Sequence, residues 1–365
     1  MSKIVIDARE MGTSSGRYVE QLLKHLQIID AQNNYVILLK PKLISRWQST
    51  NQNFKSEASP HQEFTYDEQF GLMKQIKALK ADLVHFPMVQ QPAWYGGKTV
   101  TTMNDLTTLR YTNPSKNPII FSFKQKVYKW LNRRVAKKSQ AIITFSEFVK
   151  NDLVKFTGIN SAKINIINLA ADPITDSAEP LGKLKDKQFL MYVGRPTPHK
   201  NLERLIEAFA KIKVSQPELF LVFVGKQDAN YRRIVELVKK QGIKDVVFTD
   251  WISDGQLRWL YENCAAYVFP SLSEGFGLPG LEAMAHGAPV VSSKATCLPE
   301  IYGEAAHYFD PLNVDDMAKS INEVLTNQDL RDSLIQKGHT QVKKYSWRRM
   351  AEQTLAIYNQ VLRKN

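Results

Sequence analysis

Ala266-Tyr-Val-Phe-Pro270-Ser-Leu-Ser-Glu274-Gly275-Phe276-Gly277-Leu278-Pro279-Gly280-Leu281-Glu282-Ala-Met-Ala285 passes from an apolar run through small residues into a helical pattern. The run reads as a buried strand. The glycines read as a turn, and Pro279 suits a first helical turn, where its missing N–H costs nothing. Gly275 and Gly277 allow close approach to the exposed N–H groups of a helix start, which is a ready anion site. Glu274 and Glu282 stand before the helix and about a turn inside it. A bare carboxylate beside a phosphate is repelled, but it can accept hydrogen bonds from sugar hydroxyls. Taken alone, the stretch is equally a glycine turn with Glu274 as a cap and Glu282 as a solvated helix residue.

The same strand, turn and helix start recur upstream in Met191-Tyr-Val-Gly194-Arg195-Pro-Thr-Pro-His199-Lys200-Asn201-Leu202. Arg195 and Lys200 fall in a loop at the strand's carboxyl end, where two cations could hold a diphosphate and neutralise it as it leaves. An ordinary basic loop is the alternative. A third instance opens the chain, Asp7-Ala-Arg9-Glu10-Met-Gly12-Thr-Ser-Ser-Gly16-Arg17-Tyr18. Its glycines do not follow G-x-G-x-x-G, which argues against a nicotinamide or flavin site.

Working outward, strand candidates lie at 4–7, 35–39, 83–86, 100–103 and 141–145, then at 189–193, 219–224, 246–248, 266–269 and 289–292. Helical patterns fall between them, for example at 16–26, 201–213 and 231–241. The alternation predicts parallel α/β sheets covered on both faces. The 365 residues exceed what one core usually holds. An irregular, charged, proline-containing stretch at 168–187 is the expected join. Two Rossmann-like doubly wound domains facing a cleft are therefore expected, with ligands at the carboxyl ends of the strands. Boundaries are expected at 1–170 and 171–346, with a terminal helix at 347–365.

The net charge is +13, of which residues 1–175 carry +11. Such a half attracts a polyanion: lipid headgroups, nucleic acid or a phosphorylated acceptor. The cations concentrate from Lys124 to Lys138, with Ile120, Phe123, Val127, Trp130, Leu131 and Val135 interleaved at helical spacing. That pattern reads either as a core-facing helix with a solvated basic face or as a surface resting on anionic lipid. No nucleic-acid-binding signature accompanies the charge, so nucleic acid is not an expected partner. The start reads as a strand rather than a leader, and no apolar run is long enough to span a membrane. A cytoplasmic protein, at most peripheral on the inner membrane face, is expected. Cys264 and Cys297 match no metal spacing and read as free thiols.

Together these segments resemble the retaining glycosyltransferases of family four, which have the GT-B fold. The resemblance covers essentially the whole chain, and the Glu274/Glu282 segment, following the Arg195/Lys200 loop, is its most specific part. It implies that a hexose, mannose from GDP-mannose or else a UDP-sugar, passes to a lipid-linked or polysaccharide acceptor with retention and without a metal or other cofactor. Glu282 would bind the donor ribose and Glu274 the transferred sugar. Phe276, Gly277 and Leu278 would contact sugar and diphosphate through their backbone. Arg195 and Lys200 would hold the diphosphate beside Gly194, and Gly16 would close over it. Trp251 and Ile252 would lie at the base. Arg17, Arg110 and His85 would stand on the acceptor side, His85 at a strand end facing the cleft. One departure stands out: where the family usually has His-Asp, this chain has Asn104-Asp105. Asn104 would orient the donor sugar by hydrogen bonds but cannot carry charge.

Overall fold

The computed structural model describes residues 1–13, 16–111 and 118–364. The chain divides into two compact units. The first comprises Met1–Leu106, Ser122–Leu169 and Ser346–Asn365; the second comprises Thr107–Phe121 and Ala170–Tyr345.

In the first unit, strands β1 (Lys3–Asp7), β2 (Asn34–Leu39), β3 (Phe54–Ala58), β4 (Leu83–Phe86), β5 (Thr99–Thr102), β6 (Ala141–Thr144) and β7 (Ile164–Ile166) form one parallel sheet. Its order is β3-β2-β1-β4-β5-β6-β7. In the second, β8 (Phe189–Val193), β9 (Phe220–Val224), β10 (Val246–Phe248), β11 (Ala266–Phe269), β12 (Val290–Ser293) and β13 (Ala306–Phe309) form another, in the order β10-β9-β8-β11-β12-β13. The central strands are buried on both faces, and most of them are rich in apolar residues. β4, β5, β6, β11 and β12 have no residue that is not buried. Each chain path runs outward from one central strand, returns to the middle and runs outward the other way. The reversal falls between β1 and β4 in one sheet and between β8 and β11 in the other. Crevices outside the carboxyl ends of such strand pairs are where open α/β sheets take ligands.

The terminal helix Trp347–Arg363 counts with the first unit. Tyr358 on this helix meets His85 on β4, with 2.5 Å between its hydroxyl and Nδ1. Within the second unit, the helices Leu202–Ile212 and Val314–Thr326 turn apolar faces inward, burying Leu205, Ile206, Phe209, Met317, Ile321 and Val324.

Candidate active site

The two charged loops read from the sequence follow β8 and β11, and these strands are neighbours. The loops are stitched together. Leu272 N–H donates to His199 O at 2.7 Å. Asn201, in the left-handed region at φ 61°, donates through Nδ2 to Pro270 O at 3.1 Å and to Pro311 O at 2.8 Å. Lys200 Nζ lies 2.6 Å from Glu274 Oε1, and these side chains are only 18% and 13% exposed. Lys200 Nζ also stands 5.6 Å from the centroid of the Phe269 ring. Arg195 is exposed, and its carbonyl accepts from Thr197 N at 2.9 Å.

After Glu274 the chain turns into the helix Leu278–Ala285. Gly277 is required at that turn. It sits at φ 89°, and a Cβ there would come within 2.6 Å of both the Tyr302 hydroxyl and Leu298 Cδ2. The Tyr302 hydroxyl donates to Gly277 O at 2.5 Å, fixing the turn from below. The Phe276 side chain is buried edge-on against Tyr345, so this residue offers a ligand only its backbone. Glu282 is half-buried in the helix. Its carbonyl accepts from His286 Nδ1 at 2.7 Å, while His286 Nε2 accepts from Ile174 N at 2.9 Å, which identifies the neutral tautomer. Burial, reinforced by the Lys200 charge and partly offset by Glu274, pushes the His199 pKa down to about 4. Trp251 is 81% exposed and Ile252 half-buried on the loop after β10. That strand lies two positions from β8, about 10 Å at ordinary strand spacing.

In the first unit, Gly16 and Arg17 start the helix Arg17–Ile29 after β1; Ser14 and Ser15 of this loop lie outside the described residues. A Cβ on Gly16 would stand 2.0 Å from Glu10 O, so only glycine fits. Asn104 follows β5, and its buried Oδ1 has no hydrogen-bond partner among the described residues. A buried triad, missed as such in the sequence, stands at the end of β1: Arg9 Nη2 reaches Asp7 Oδ2 at 2.7 Å and Glu68 Oε1 at 3.0 Å. Its signal was there in Asp7 and Arg9, but Glu68 is remote in sequence.

Two acceptor-side expectations meet a different placement. His85 is fully buried, with Nδ1 on Tyr358 and Nε2 2.9 Å from the Thr102 hydroxyl, so it is a core residue rather than a cleft-facing one. Arg110 is exposed and counts with the second unit.

The basic helix is Pro118–Lys138, with seven cations and no acidic residue. Of its interleaved apolar side chains Leu131 and Val135 are buried, whereas Phe123 is 69%, Val127 47% and Trp130 45% exposed. Two further exposed rings, remote in sequence, extend this face. Trp94 lies 5.6 Å from Trp130, and Phe70 lies parallel to Trp94 at 6.5 Å. The Arg134 guanidinium stands 6.0 Å from each of the two indole rings and donates to Ala93 O at 3.0 Å. Among the described residues there is neither a helix long and apolar enough to cross a membrane nor a His/Cys/Asp/Glu group suited to a metal ion.

Residues 174–341 match the model of the glycosyl transferases group 1, and residues 16–173 that of glycosyltransferase family 4. The serotype-specific mannosyltransferase WbdA of Escherichia coli is 31% identical over 62% of this chain, an alignment spanning 29% of that relative's length. The O-antigen chain mannosyltransferase B of Escherichia coli is 29% identical over 72% of this chain and 70% of its own. Among solved structures, sucrose-phosphate synthase from Thermosynechococcus elongatus superposes with a TM-score of 0.80 at 19% identity, over 100% of both chains. Anabaena Alr3699/HepE in complex with UDP and glucose gives 0.74 at 16% identity, over 98% of this chain and 100% of its own. The fold is that of GT-B glycosyltransferases.

Proposed function

Because the chain belongs to the group 1, family 4 glycosyltransferases, we propose that it moves a hexose from a nucleotide diphosphate sugar to a lipid-linked or cell-envelope polysaccharide acceptor. Mannose from GDP-mannose is the leading donor, in keeping with the mannosyltransferases it resembles. A UDP-sugar is the alternative, favoured by the UDP held by the HepE structure. The observation that carries the reading is the Lys200–Glu274 pair on adjacent loops at the β8/β11 crevice, beside a glycine-opened helix start.

In this reading the diphosphate lies across the N–H groups at the start of helix Leu278–Ala285. An ammonium has three protons, so Lys200 can hold Glu274 and still bond a phosphate oxygen. Arg195, exposed at the loop surface, closes on the same diphosphate, with Gly194 leaving room for it. Glu282 accepts the ribose hydroxyls, and the loop of Trp251 and Ile252 meets the base. Gly16, where only glycine fits, and Asn104, whose Oδ1 has no partner among the described residues, are the first unit's candidates for donor contacts. The bond from the anomeric carbon to the diphosphate breaks as the acceptor oxygen bonds the same face. The acceptor's proton passes to the leaving phosphate oxygen, and configuration is retained. Lys200 and Arg195 stabilise the charge that develops on the leaving group, the task a divalent ion performs elsewhere. Arg17 and Arg110 remain candidates for steering the acceptor.

The acceptor meets the first unit at an anionic membrane surface, the role proposed for the cations from Lys124 to Lys138. Support comes from the exposed Phe70, Trp94, Phe123 and Trp130 rings set among cations without an acidic neighbour on the helix. Indole rings favour a boundary between apolar and wet surroundings.

The experiment is a panel of nucleoside diphosphates and nucleotide sugars screened by thermal stabilisation. A cognate nucleotide at 100 times its dissociation constant adds about 2.7 kcal/mol. One base is expected to stand out, and its mannose conjugate to serve as donor. No stabilisation by any member would contradict the reading.

A further inference from the structure

Residues 107–111 follow β5 of the first sheet in sequence, yet Thr107 begins a segment that counts with the second unit. It forms the short helix Thr107–Arg110, closed by Tyr111 N–H donating to Thr107 O at 3.1 Å. Thr107 is 6% exposed, and its hydroxyl lies 2.8 Å from that of Ser273, itself 3% exposed. The Tyr111 ring lies 5.8 Å from the ring of His199. Ser273 is the residue before Glu274, and His199 is the residue before Lys200. One short segment therefore rests on the immediate neighbour of each member of the ion pair. It comes from outside the β8 and β11 crossovers, so neither loop needs it in order to follow its own strand.

We propose that residues 107–111 are a positioning strap for the donor site, with Thr107 setting the Glu274 loop through Ser273 and Tyr111 setting the Lys200 loop through His199. This rests on the donor-site reading given above. The physical reason is geometric. Lys200 and Glu274 sit on loops, which lack the rigidity of strands, and charged groups act on a reacting centre only when held to a fraction of an ångström. The existing stitches, Leu272 to His199 and Asn201 to Pro270, fix the loop backbones. The strap bears instead on the side chains of Ser273 and His199. Because Ser273 and Thr107 are both buried, removing the Thr107 hydroxyl takes this partner from the Ser273 hydroxyl and displaces the backbone that carries Glu274. The Tyr111 contact is with a neutral imidazole at ordinary pH, so it acts by packing and is insensitive to salt.

The test compares four full-length variants with the parent: Thr107→Val, Thr107→Ser, Tyr111→Ala and Tyr111→Phe. Donor KM and kcat are measured with the nucleotide sugar found by the panel, and GDP and UDP affinities by calorimetry. Thr107→Val is expected to lower kcat about tenfold with nucleoside diphosphate affinity unchanged, because the disturbance reaches the sugar-facing carboxylate. Tyr111→Ala is expected to weaken diphosphate affinity about tenfold through the Lys200 loop. Thr107→Ser and Tyr111→Phe, which keep the hydroxyl and the ring, are expected to restore values to within about twofold of the parent. Variants Thr107→Val and Tyr111→Ala that match an active parent would overturn the strap, as would losses that the conservative variants fail to restore. A parent that binds neither nucleotide and transfers no sugar would overturn the donor-site reading, and the strap with it.

Discussion

At the scale of single residues, both nitrogens of His85 are occupied, one by Tyr358 from 273 positions further along the chain and one by Thr102. Burial pushes its pKa down to about 3, from an ordinary 6.5. Between those values the unfolded chain holds a proton that the folded chain refuses. Stability conferred by the neutral ring is thus complete above about pH 6.5 and falls by about 1.4 kcal/mol per pH unit as pH drops toward 3. Urea denaturation of the parent and of His85→Gln at pH 7 and pH 5 checks this. The parent is expected to lose about 2 kcal/mol more than the variant over that interval; equal losses would contradict it. The same residue marks a limit of sequence reading. Its place near a strand's carboxyl end is visible in the sequence, whereas the tyrosine that claims it from a distant helix is not. Lys200 and Glu274 are the opposite case. Each follows a strand within a strand–turn–helix pattern, and neighbouring parallel strands bring such loop residues together.

At the scale of elements, most central strands were legible because burial on both faces favours apolar runs, as in Phe189–Val193 and Ala266–Phe269. The strands absent from the sequence reading, β3, β7 and β13, all lie at sheet edges. There one side needs no apolar cover, so Phe54-Lys-Ser-Glu-Ala58 carries charge and Ile164-Asn-Ile166 is too short to stand out. The helix Pro118–Lys138 differs in another way. Its apolar residues have helical spacing, but only part of that stripe is buried, and the exposed part continues onto Trp94 and Phe70. The helix is therefore expected to bring the protein to anionic vesicles. In flotation assays, recovery should rise with phosphatidylglycerol content and fall in high salt, because each cation contributes about 1 kcal/mol through a field screened within about 8 Å at physiological salt. Trp94→Ala combined with Trp130→Ala should reduce the recovery that survives high salt. Equal recovery with neutral vesicles would contradict the electrostatic part, and an unaffected double variant the aromatic part.

At the scale of the whole molecule, a chain of this length with alternating strands and helices yields two parallel sheets, each with a reversal of strand order at its centre. The sequence reading expected a join at 168–187, whereas the chain passes from one unit to the other after Leu106, Phe121, Leu169 and Tyr345. It gave no hint that Thr107 opens a segment counting with the second unit, since nothing in Thr-Thr-Leu-Arg-Tyr departs from an ordinary connection. The β8/β11 crevice is proposed to transfer a sugar from a nucleotide diphosphate using protein cations. Its most direct test is the initial rate of transfer in EDTA, from the donor found by the panel, for the parent and for Lys200→Ala. The parent rate is expected to be undiminished under chelation, and that of the variant lower by about a hundredfold. Activity that EDTA abolishes and Mg²⁺ restores, or a Lys200→Ala variant that transfers as fast as the parent, would contradict it.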